Sequence, residues 1–234
     1  MATERENSLG AKLKRAQDLI AYLNGFSNYN PPRIEDSLAE LTNLTESIVS
    51  ANASADSQLE TYRLLVNDRQ VIFNDADGSI QKLLTLIRGA VEAQFGKEAK
   101  QTVIIGGLIR NMRNPKISKS PLDPLDSTGI SKSQKSFGST VQQFSHVISA
   151  LQNFNGYNPS NTDLTIAALQ QKLQEARDSN HVVAASVQQL QANRAERTAL
   201  YEDLKQRTQR VKSYIKSEYG IRSPEFKLVR GLSI

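Results

Sequence analysis

The pattern of apolar and polar positions is clearest in the second half of the chain. Apolar residues recur there at three- and four-residue steps from Ile166 to Ile215, and neither Gly nor Pro interrupts the run from Ser160 to Tyr219. This spacing places the apolar side chains on one face of an α-helix. The run predicts either one very long helix, about 90 Å at 1.5 Å per residue, or several antiparallel helices joined by tight turns.

The matching region of the first half contains two segments that favour turns, SANASADS at 50–57 and DADGS at 75–79. Ser, Asn, Asp and Gly compete with helical hydrogen bonds or permit left-handed backbone geometry. The sequence therefore predicts an all-α fold of the up-and-down four-helix-bundle type, with long antiparallel coiled-coil hairpins as the alternative. Breaks at both segments leave four helices of similar length, near residues 8–24, 34–51, 55–74 and 79–95.

Two similar heptapeptides indicate that the chain repeats itself. FSNYNPP begins at Phe26, and FNGYNPS begins 128 positions later at Phe154. At this offset the apolar positions of the two halves coincide, and beyond the DADGS segment they coincide at an offset of 124. A matched order of elements over most of each half predicts a tandem duplication of one helical unit. The predicted organisation is a first repeat at 1–112, a linker at 113–135 and a second repeat at 136–234.

Each heptapeptide is predicted to form a loop after the first helix of its repeat. Asn24-Gly25 and Asn155-Gly156 suit the helix end, because Gly and Asn accept a positive φ. The following Pro closes off continuation of the helix and forces the preceding Asn into extended geometry. Tyr29, Tyr157 and Phe26 are therefore predicted to cover the end of the bundle as packing residues rather than as ligand contacts.

Each repeat ends in a similar tail, FGKEAKQTVIIGGL from Phe95 and YGIRSPEFKLVRGL from Tyr219. Val103–Ile105 has the composition of a short strand, but no partner strand is visible in the sequence. We expect the tail to pack on the end of the bundle instead.

Composition adds limits on the class of protein. The 234 residues include no Cys and no Trp, and 38% of them are hydrophobic. This composition suits helices packed through aliphatic side chains, and it excludes disulfides, thiolate chemistry and Cys-rich zinc sites. The N-terminal residues show no apolar segment of signal-peptide length, and no run of about 18 apolar residues occurs, so we expect a cytoplasmic protein without a transmembrane helix.

The net charge of +5 is concentrated in one segment. Residues 97–135 contain eight basic and three acidic side chains, and the rest of the chain is balanced. The segment lacks the interleaved aromatic residues that stack on bases, and it does not form an amphipathic pattern of the membrane-surface type. We predict a solvated linker, with contact to a nucleic acid or an anionic membrane surface as the alternative. The candidate residues for a polyanion contact are Arg110, Arg113, Lys116, Lys119, Lys132 and Lys135.

Polar residues at repeat-equivalent positions interrupt the apolar seam. Arg69 matches Arg197, and Asn52 matches Asn180. Because an unpaired charge on a buried seam is costly, the arginines either bind an anionic group or satisfy their charge internally. We predict the internal solution, which is an ion pair with a carboxylate on a neighbouring helix or an extended side chain that reaches solvent. All four residues are interpreted as structural.

No constellation of residues in the sequence indicates catalysis. Asp178 and His181 have the spacing of a carboxylate–histidine pair, but Ser50 and Ala53 occupy the matching positions of the first repeat, whereas di-iron bundles require the pair twice. Ile105–Leu108 lacks the spacing and the Lys of a phosphate-binding loop, and no Ser lies in a nucleophile elbow. We therefore predict no metal, no cofactor and no enzymatic activity, with His146 and His181 facing solvent or lying in turns.

The C-terminal sequence VKSYIKSEYGIRSPEFKLVRGL, at 211–232, is preceded by ANRAERTALYEDL, at 192–204. Together they resemble a pattern in uncharacterised bacterial helical proteins, notably from Bacteroidetes. The resemblance covers about the last 45 residues and, more weakly, their equivalents in the first repeat. It implies a helical fold and brings no assigned activity, so it transfers no site residues.

These observations favour a non-enzymatic interaction or structural protein, which binds a protein partner through a helix face or through the groove between the repeats. Membrane action is the first alternative, because α-helical pore-forming toxins also have long amphipathic helices. Their concealed apolar hairpin has only Val103–Ile109 as a candidate here, and this segment is too short to span a membrane. Polyanion binding through the basic linker is the second alternative. The partner and the oligomeric state remain open.

Overall fold

The computed structural model describes residues 8–113 and 132–234, without the side chains of 111–113 and 132–136. Within these residues the fold is all-α and contains no strand. A π-helical turn at Val71–Asp75 follows α2, and 3-10 turns at Ile34–Asp36 and Thr162–Leu164 precede α2 and α6. The helices are α1 (Leu9–Asn24), α2 (Leu38–Gln70), α3 (Ile80–Phe95), α4 (Lys100–Arg113), α5 (Lys132–Gln152), α6 (Ile166–Glu218) and α7 (Pro224–Val229).

The two long helices differ from the predicted set of four similar helices. α2 has 33 residues and α6 has 53, which correspond to about 50 Å and 80 Å. The predicted break at 50–57 is wrong, because α2 continues through it with Ala51 and Ala55 buried. Ala is the strongest helix former, and burial of its face outweighs the weak preference of Ser and Asn for turns. The predicted break at 75–79 is observed, and the second half forms the single long helix of the two alternatives.

The chain divides into two compact units that do not follow its linear order. Unit 1 contains the residues up to Glu60 together with Gln188–Ile234, and unit 2 contains Thr61–Val187. The division falls within α2 and within α6. Each unit therefore combines the opening segments of one predicted repeat with the closing segments of the other. The predicted repeat boundaries, at 1–112 and 136–234, describe the sequence and stay a prediction.

The core of unit 1 is aliphatic. α1 packs against α7, and Ser8 caps α1 by accepting a hydrogen bond from the backbone N of Ala11 at 3.2 Å. A second, smaller cluster surrounds Ala16, where Tyr201 is also buried. Each large aliphatic side chain contributes about 1.5–3 kcal/mol when fully buried. The main cluster consists of Leu19, Leu23, Leu41, Val211, Ile215 and Val229.

The core of unit 2 forms where α4 packs against α3 and α5. The predicted tail after Phe95 is helical, and Val103–Ile105 belongs to α4 rather than to a strand. Ile105 and Ile109 lie one turn apart on this helix, and both are buried. The α3 and α5 side chains that surround them are Ile80, Leu83, Leu84, Ile87, Val91, Phe144, Val147, Ile148 and Leu151.

The loops after α1 and α5 make corresponding contacts at positions 128 apart. The Tyr29 hydroxyl donates to the carbonyl oxygen of Asp36 at 2.6 Å, and the Tyr157 hydroxyl donates to that of Leu164 at 3.0 Å. Each tyrosine thereby ties its loop to the 3-10 turn that follows, and both rings are half-buried. An aromatic ring pair also occurs in each unit, Phe26 with Tyr219 and Phe154 with Phe95, at centroid distances of 5.8 Å and 6.0 Å.

The two loops have a positive φ angle at corresponding positions, but only one of these positions is predicted from the sequence. Gly156 has a φ of +83°, as the Asn-Gly pair suggests. In the first loop Gly25 has a φ of −88°, and Asn28 instead adopts +64°. Asn28 lies 128 positions before Gly156, so the two loops place their left-handed residue at the same point. Asn tolerates this conformation better than other residues with a side chain.

Candidate functional site

An open cleft of about 620 Å³ lies within unit 1, between the loop after α1 and the C-terminal part of α6. The loop and its 3-10 turn provide one wall with Pro31, Pro32, Arg33 and Asp36. We call this surface the Asp36–Arg210 cleft. The opposite wall consists of the α6 residues Gln206, Gln209, Arg210, Val211, Ser213, Tyr214 and Ser217.

Aromatic contacts fix the shape of the loop wall. The rings of Tyr29 and Tyr214 meet edge to face, with centroids 5.7 Å apart and planes at 76°. The backbone N of Asn30 donates to the Tyr214 hydroxyl at 3.3 Å. Burial raises the pKa of Tyr29, and the neighbouring Asp36 carboxylate raises it further. Tyr29 therefore stays neutral and keeps its hydrogen bond at neutral pH.

Asp36 and Arg210 form a bidentate ion pair at the base of the cleft. Arg210 Nε lies 2.9 Å from Asp36 Oδ2, and Arg210 Nη2 lies 2.8 Å from Asp36 Oδ1. The Asp36 side chain is 5% exposed, whereas the Arg210 side chain is 30% exposed. The hydrogen bond to Asp36 raises the pKa of Arg210. The carboxylate is thus buried, and the guanidinium group has an edge that remains open to the cleft.

A second arginine supports this arrangement one turn earlier on α6. Arg207 donates from Nε and Nη2 to the Asp203 carboxylate, at 3.0 Å and 2.8 Å from Oδ2. Its Nη1 donates to the backbone carbonyl of Glu35 at 2.6 Å. The Asp203 hydrogen bond raises the pKa of Arg207. Arg207 therefore anchors the 3-10 turn to α6 and holds Asp36 opposite Arg210.

Glu35 places a second carboxylate at the cleft. Its Oε2 lies 3.8 Å from Arg210 Nη2 and 3.9 Å from Arg33 Nε. Both distances exceed the hydrogen-bond range for N–H donors, so the carboxylate is held by charge alone. The Glu35 side chain is 54% exposed. It occupies the position between the two guanidinium groups without filling their hydrogen-bonding capacity.

The positions in unit 2 that match Asp36 and Arg210 carry no charge, although Asp163 matches Glu35 there. The repeat offsets match Asp36 with Leu164 and Arg210 with Leu86. Leu164 is buried, and Leu86 is 46% exposed. The same 3-10 turn and the same tyrosine hydrogen bond are present in both units, so this local backbone arrangement forms without an ion pair. The Asp36–Arg210 pair is therefore a feature of unit 1 alone.

Arg69 and Arg197, predicted either to form internal ion pairs or to extend their side chains to solvent, have different surroundings. Arg197 Nη1 lies 3.9 Å from Asp56 Oδ1, a long contact in which the Asp56 side chain is 77% exposed and the Arg197 side chain is 21% exposed. Arg69 is 3% exposed and makes no ion pair with any residue in the described ranges, so the predicted ion pair is not observed there. Its Cζ instead lies 4.3 Å from the centroid of the Phe137 ring. Burial lowers the pKa of Arg69.

The matched asparagines lie on the inner faces of the long helices. Asn52 Nδ2 donates to the Tyr201 hydroxyl at 3.1 Å, and that hydroxyl donates to the backbone carbonyl of Leu9 at 3.0 Å. The Oδ1 atoms of Asn52 and Asn180 are buried and accept no hydrogen bond from the described part of the chain. Tyr201 thereby links Asn52 of α2 to the backbone of α1.

The predicted basic contact is only partly described. Arg110 lies on α4 and is exposed. Arg113 is the last residue of α4, and Lys132 and Lys135 lie in the first turn of α5, where only the backbone is described. Lys116 and Lys119 lie outside the described residues. The predicted polyanion contact therefore stays a prediction.

His146 and His181 are both exposed, as predicted. Within 8–113 and 132–234, no three residues of the metal-binding types lie close enough to hold an ion. No helix in these ranges has both the length and the apolar character needed to cross a membrane.

The residues of the Asp36–Arg210 cleft were not predicted from the sequence. Asp36 and Arg210 are 174 positions apart, and each is an ordinary charged residue beside a turn or on a helix. One signal was present: the two residues replace the apolar Leu164 and Leu86 of the matching repeat positions. A comparison of the repeats by charge, in addition to apolar matches, would have selected them.

Three comparisons with known proteins returned no match: no family model, no curated protein and no solved structure is significantly similar to this chain. The functional interpretation therefore depends on the site itself.

Proposed function

We propose that this protein is a non-enzymatic helical interaction protein, and that it binds a protein partner through the Asp36–Arg210 cleft. The observation that supports this proposal is the buried ion pair at the base of an open cleft, where the matching position of unit 2 has two leucines. A buried ion pair is often no more stabilising than apolar residues of similar volume. Its presence in one unit only favours a role at the surface that it shapes.

The same comparison supports the tandem duplication, which we propose as the origin of the two units. Corresponding tyrosines, ring pairs and left-handed residues occur at matched offsets in both loops. In this proposal the repeats span 1–112 and 136–234, with a linker at 113–135. The shared contacts maintain the fold, and the residues that differ between the repeats carry the specific binding. The uncharacterised bacterial helical proteins that the C-terminal sequence resembles are the proposed family.

Site-specific photo-crosslinking tests the proposed function. Ser213 is exposed in the cleft, and Gly89 is the exposed position of unit 2 that matches it. A side chain at Gly89 meets no atom within 4 Å, so both positions tolerate a photo-reactive residue. We expect Ser213→p-benzoylphenylalanine to crosslink one defined protein in host lysate and Gly89→p-benzoylphenylalanine to leave it uncrosslinked.

A second variant connects this crosslink to the cleft. The double substitution Asp36→Leu with Arg210→Leu introduces the leucines that occupy the matching positions of unit 2, and it leaves no charge buried at position 36. It should abolish the Ser213 crosslink while the circular dichroism spectrum stays unchanged. Equal crosslinking from Ser213 and Gly89, or a crosslink that survives the double substitution, would show that the cleft is not the binding surface.

A further inference from the structure

The chemistry of the cleft indicates what part of a partner it recognises. Arg210 uses Nε and Nη2 for Asp36, and its Nη1 takes no part in that pair. Arg33 contributes a second guanidinium group, 59% exposed, from the opposite wall. Two arginines that converge from two walls form a recognition site for a planar anion, because the guanidinium fork matches carboxylate geometry.

Glu35 is already such an anion, and its position defines the site. Its carboxylate lies between Arg33 and Arg210, yet both contacts are longer than hydrogen bonds. A half-exposed ion pair of this length contributes little free energy. An incoming carboxylate that reaches hydrogen-bond distance from either arginine therefore displaces Glu35 at low cost.

The remaining walls favour a polypeptide over a small free anion. Pro31 and Pro32 provide apolar surface on the wall of Arg33, and the Tyr214 ring provides it on the wall of Arg210. Ile34 lies in the 3-10 turn that follows Arg33. It is 81% exposed, which is the highest exposure of any large apolar side chain in the described residues. An acidic side chain flanked by apolar residues matches this combination of charge and apolar surface.

We propose that the cleft binds an acidic side chain, Glu or Asp, of a partner polypeptide, and that this carboxylate replaces Glu35 between Arg33 and Arg210. This inference rests on the proposed function of the cleft and names the chemistry of its ligand. A phosphorylated side chain is disfavoured, because its second negative charge would lie close to the buried Asp36 carboxylate. Glu35 acts as an internal competitor that keeps the affinity for weak acidic ligands low.

Titration with short peptides, followed by nuclear magnetic resonance of the arginine Nε–H groups, tests this proposal on the full chain. The probes are acetyl-Leu-Glu-Leu-amide, its Gln counterpart and its phosphoserine counterpart. We expect the Glu peptide to shift the Arg33 and Arg210 signals and to bind more tightly than the other two. Added salt should weaken this binding, because the site is open to solvent.

Two single variants sharpen the result. Glu35→Gln removes the internal competitor and should tighten binding of the Glu peptide roughly two- to fivefold, whereas Arg33→Gln should weaken it by a similar factor. Both side chains are more than half exposed, so both variants should fold normally. The double substitution Asp36→Leu with Arg210→Leu should abolish the shift of the Arg33 signal.

Each contrary result has a distinct meaning. Equal binding of the Glu and Gln peptides, or tighter binding of the phosphoserine peptide, would overturn the carboxylate assignment and leave the cleft as a polypeptide-binding surface. Unchanged affinity in Glu35→Gln would contradict the role of Glu35 as a competitor. If no peptide shifts the arginine signals but Ser213 still crosslinks, only the carboxylate proposal is wrong. If the Ser213 crosslink is absent too, the proposed function is wrong as well.

Discussion

Unit 1 and unit 2 have similar loops after α1 and α5, but different side chains lie beside those loops. Both have a loop tied to a 3-10 turn by a tyrosine hydroxyl, and both have an aromatic pair beside that loop. At the positions that the repeat offsets match, unit 1 has the Asp36–Arg210 ion pair, whereas unit 2 has the buried Leu164 and the half-exposed Leu86. The 3-10 turn and the tyrosine hydrogen bond occur in unit 2 without an ion pair, so this local arrangement does not depend on one.

The matched arginines, Arg69 and Arg197, also have different surroundings in the two units. Arg69 of unit 2 is enclosed beneath the Phe137 ring, which also contacts Phe73 at a centroid distance of 4.7 Å. In unit 1 Leu9 replaces this phenylalanine, and Arg197 lies beside an open pocket. Beside Arg69, unit 2 is therefore closed by aromatic rings, whereas unit 1 has a pocket beside Arg197.

The largest expected effect comes from breaking the ion pair of unit 1 on one side. Arg210→Leu leaves the buried Asp36 carboxylate without its bidentate partner, and it should lower the free energy of unfolding by about 3 kcal/mol. Urea denaturation followed by circular dichroism measures this loss.

The matched control is the double substitution Asp36→Leu with Arg210→Leu. It gives unit 1 the leucine pair of unit 2, and it should restore most of the lost stability because no charge is left buried. If the double variant is as unstable as Arg210→Leu, then the leucine pair is not an equivalent solution and the comparison of the two units fails.

The second-largest expected effect concerns the tyrosine hydrogen bonds that both units have. Tyr29→Phe and Tyr157→Phe each remove one hydrogen bond to a turn carbonyl, and each should lower the free energy of unfolding by about 1 kcal/mol at neutral pH. Similar losses from the two variants would support equivalent loops, whereas a loss from only one would separate them. Urea midpoints at a fixed protein concentration provide the measurement.

The same tyrosines differ at alkaline pH. Burial raises the pKa of both hydroxyls, and the Asp36 carboxylate raises that of Tyr29 further. The folded state then holds these protons more tightly than the unfolded state, so stability is intact below about pH 10 and falls as the pH rises above it. Tyr29→Phe should reduce this alkaline loss more than Tyr157→Phe does; an equal reduction would contradict the influence of Asp36.

The smallest expected effects come from the matched arginines. Arg69→Met replaces a buried guanidinium group that has no hydrogen-bond partner at Nε, and it should raise stability by less than about 1 kcal/mol. Arg197→Met removes a long ion pair whose carboxylate is exposed, and it should change stability by less than about 0.5 kcal/mol. A large loss in Arg69→Met, measured by urea denaturation, would show that the contact with Phe137 outweighs the cost of burying the charge.

The sequence predicted the helical class, the loops and the turn at 75–79, because these features depend on local spacing and on turn residues. The prediction was wrong at 50–57, where Ser and Asn indicated a turn. There the buried faces of Ala51 and Ala55 continue α2, and packing overrides a weak local preference. It also missed the helical character of α4, since two adjacent glycines conceal the four-residue spacing of Ile105 and Ile109.

Local sequence patterns could not predict the candidate site, because its residues come from distant parts of the chain. Asp36 and Arg210 meet because residues of α6 return to the first loop, and no spacing rule connects positions 174 apart. The predicted polar seam residues Arg69 and Arg197 were found by periodicity, which identifies a face but not the partner across it. The partner depends on tertiary packing, and the sequence reveals it only when matched repeat positions are compared by charge.

The composition of unit 1 has a consequence for synthesis on the ribosome. Unit 2 is a continuous segment, 61–187, and it is complete before the α6 residues of unit 1 have been translated. Until then the apolar face of α1, with Leu19 and Leu23, has no partner from Val211 or Ile215. At ordinary elongation rates this delay lasts roughly ten to thirty seconds. The nascent chain therefore presents an exposed aliphatic helix during this interval, and we expect chaperones that bind such segments to engage its first 60 residues.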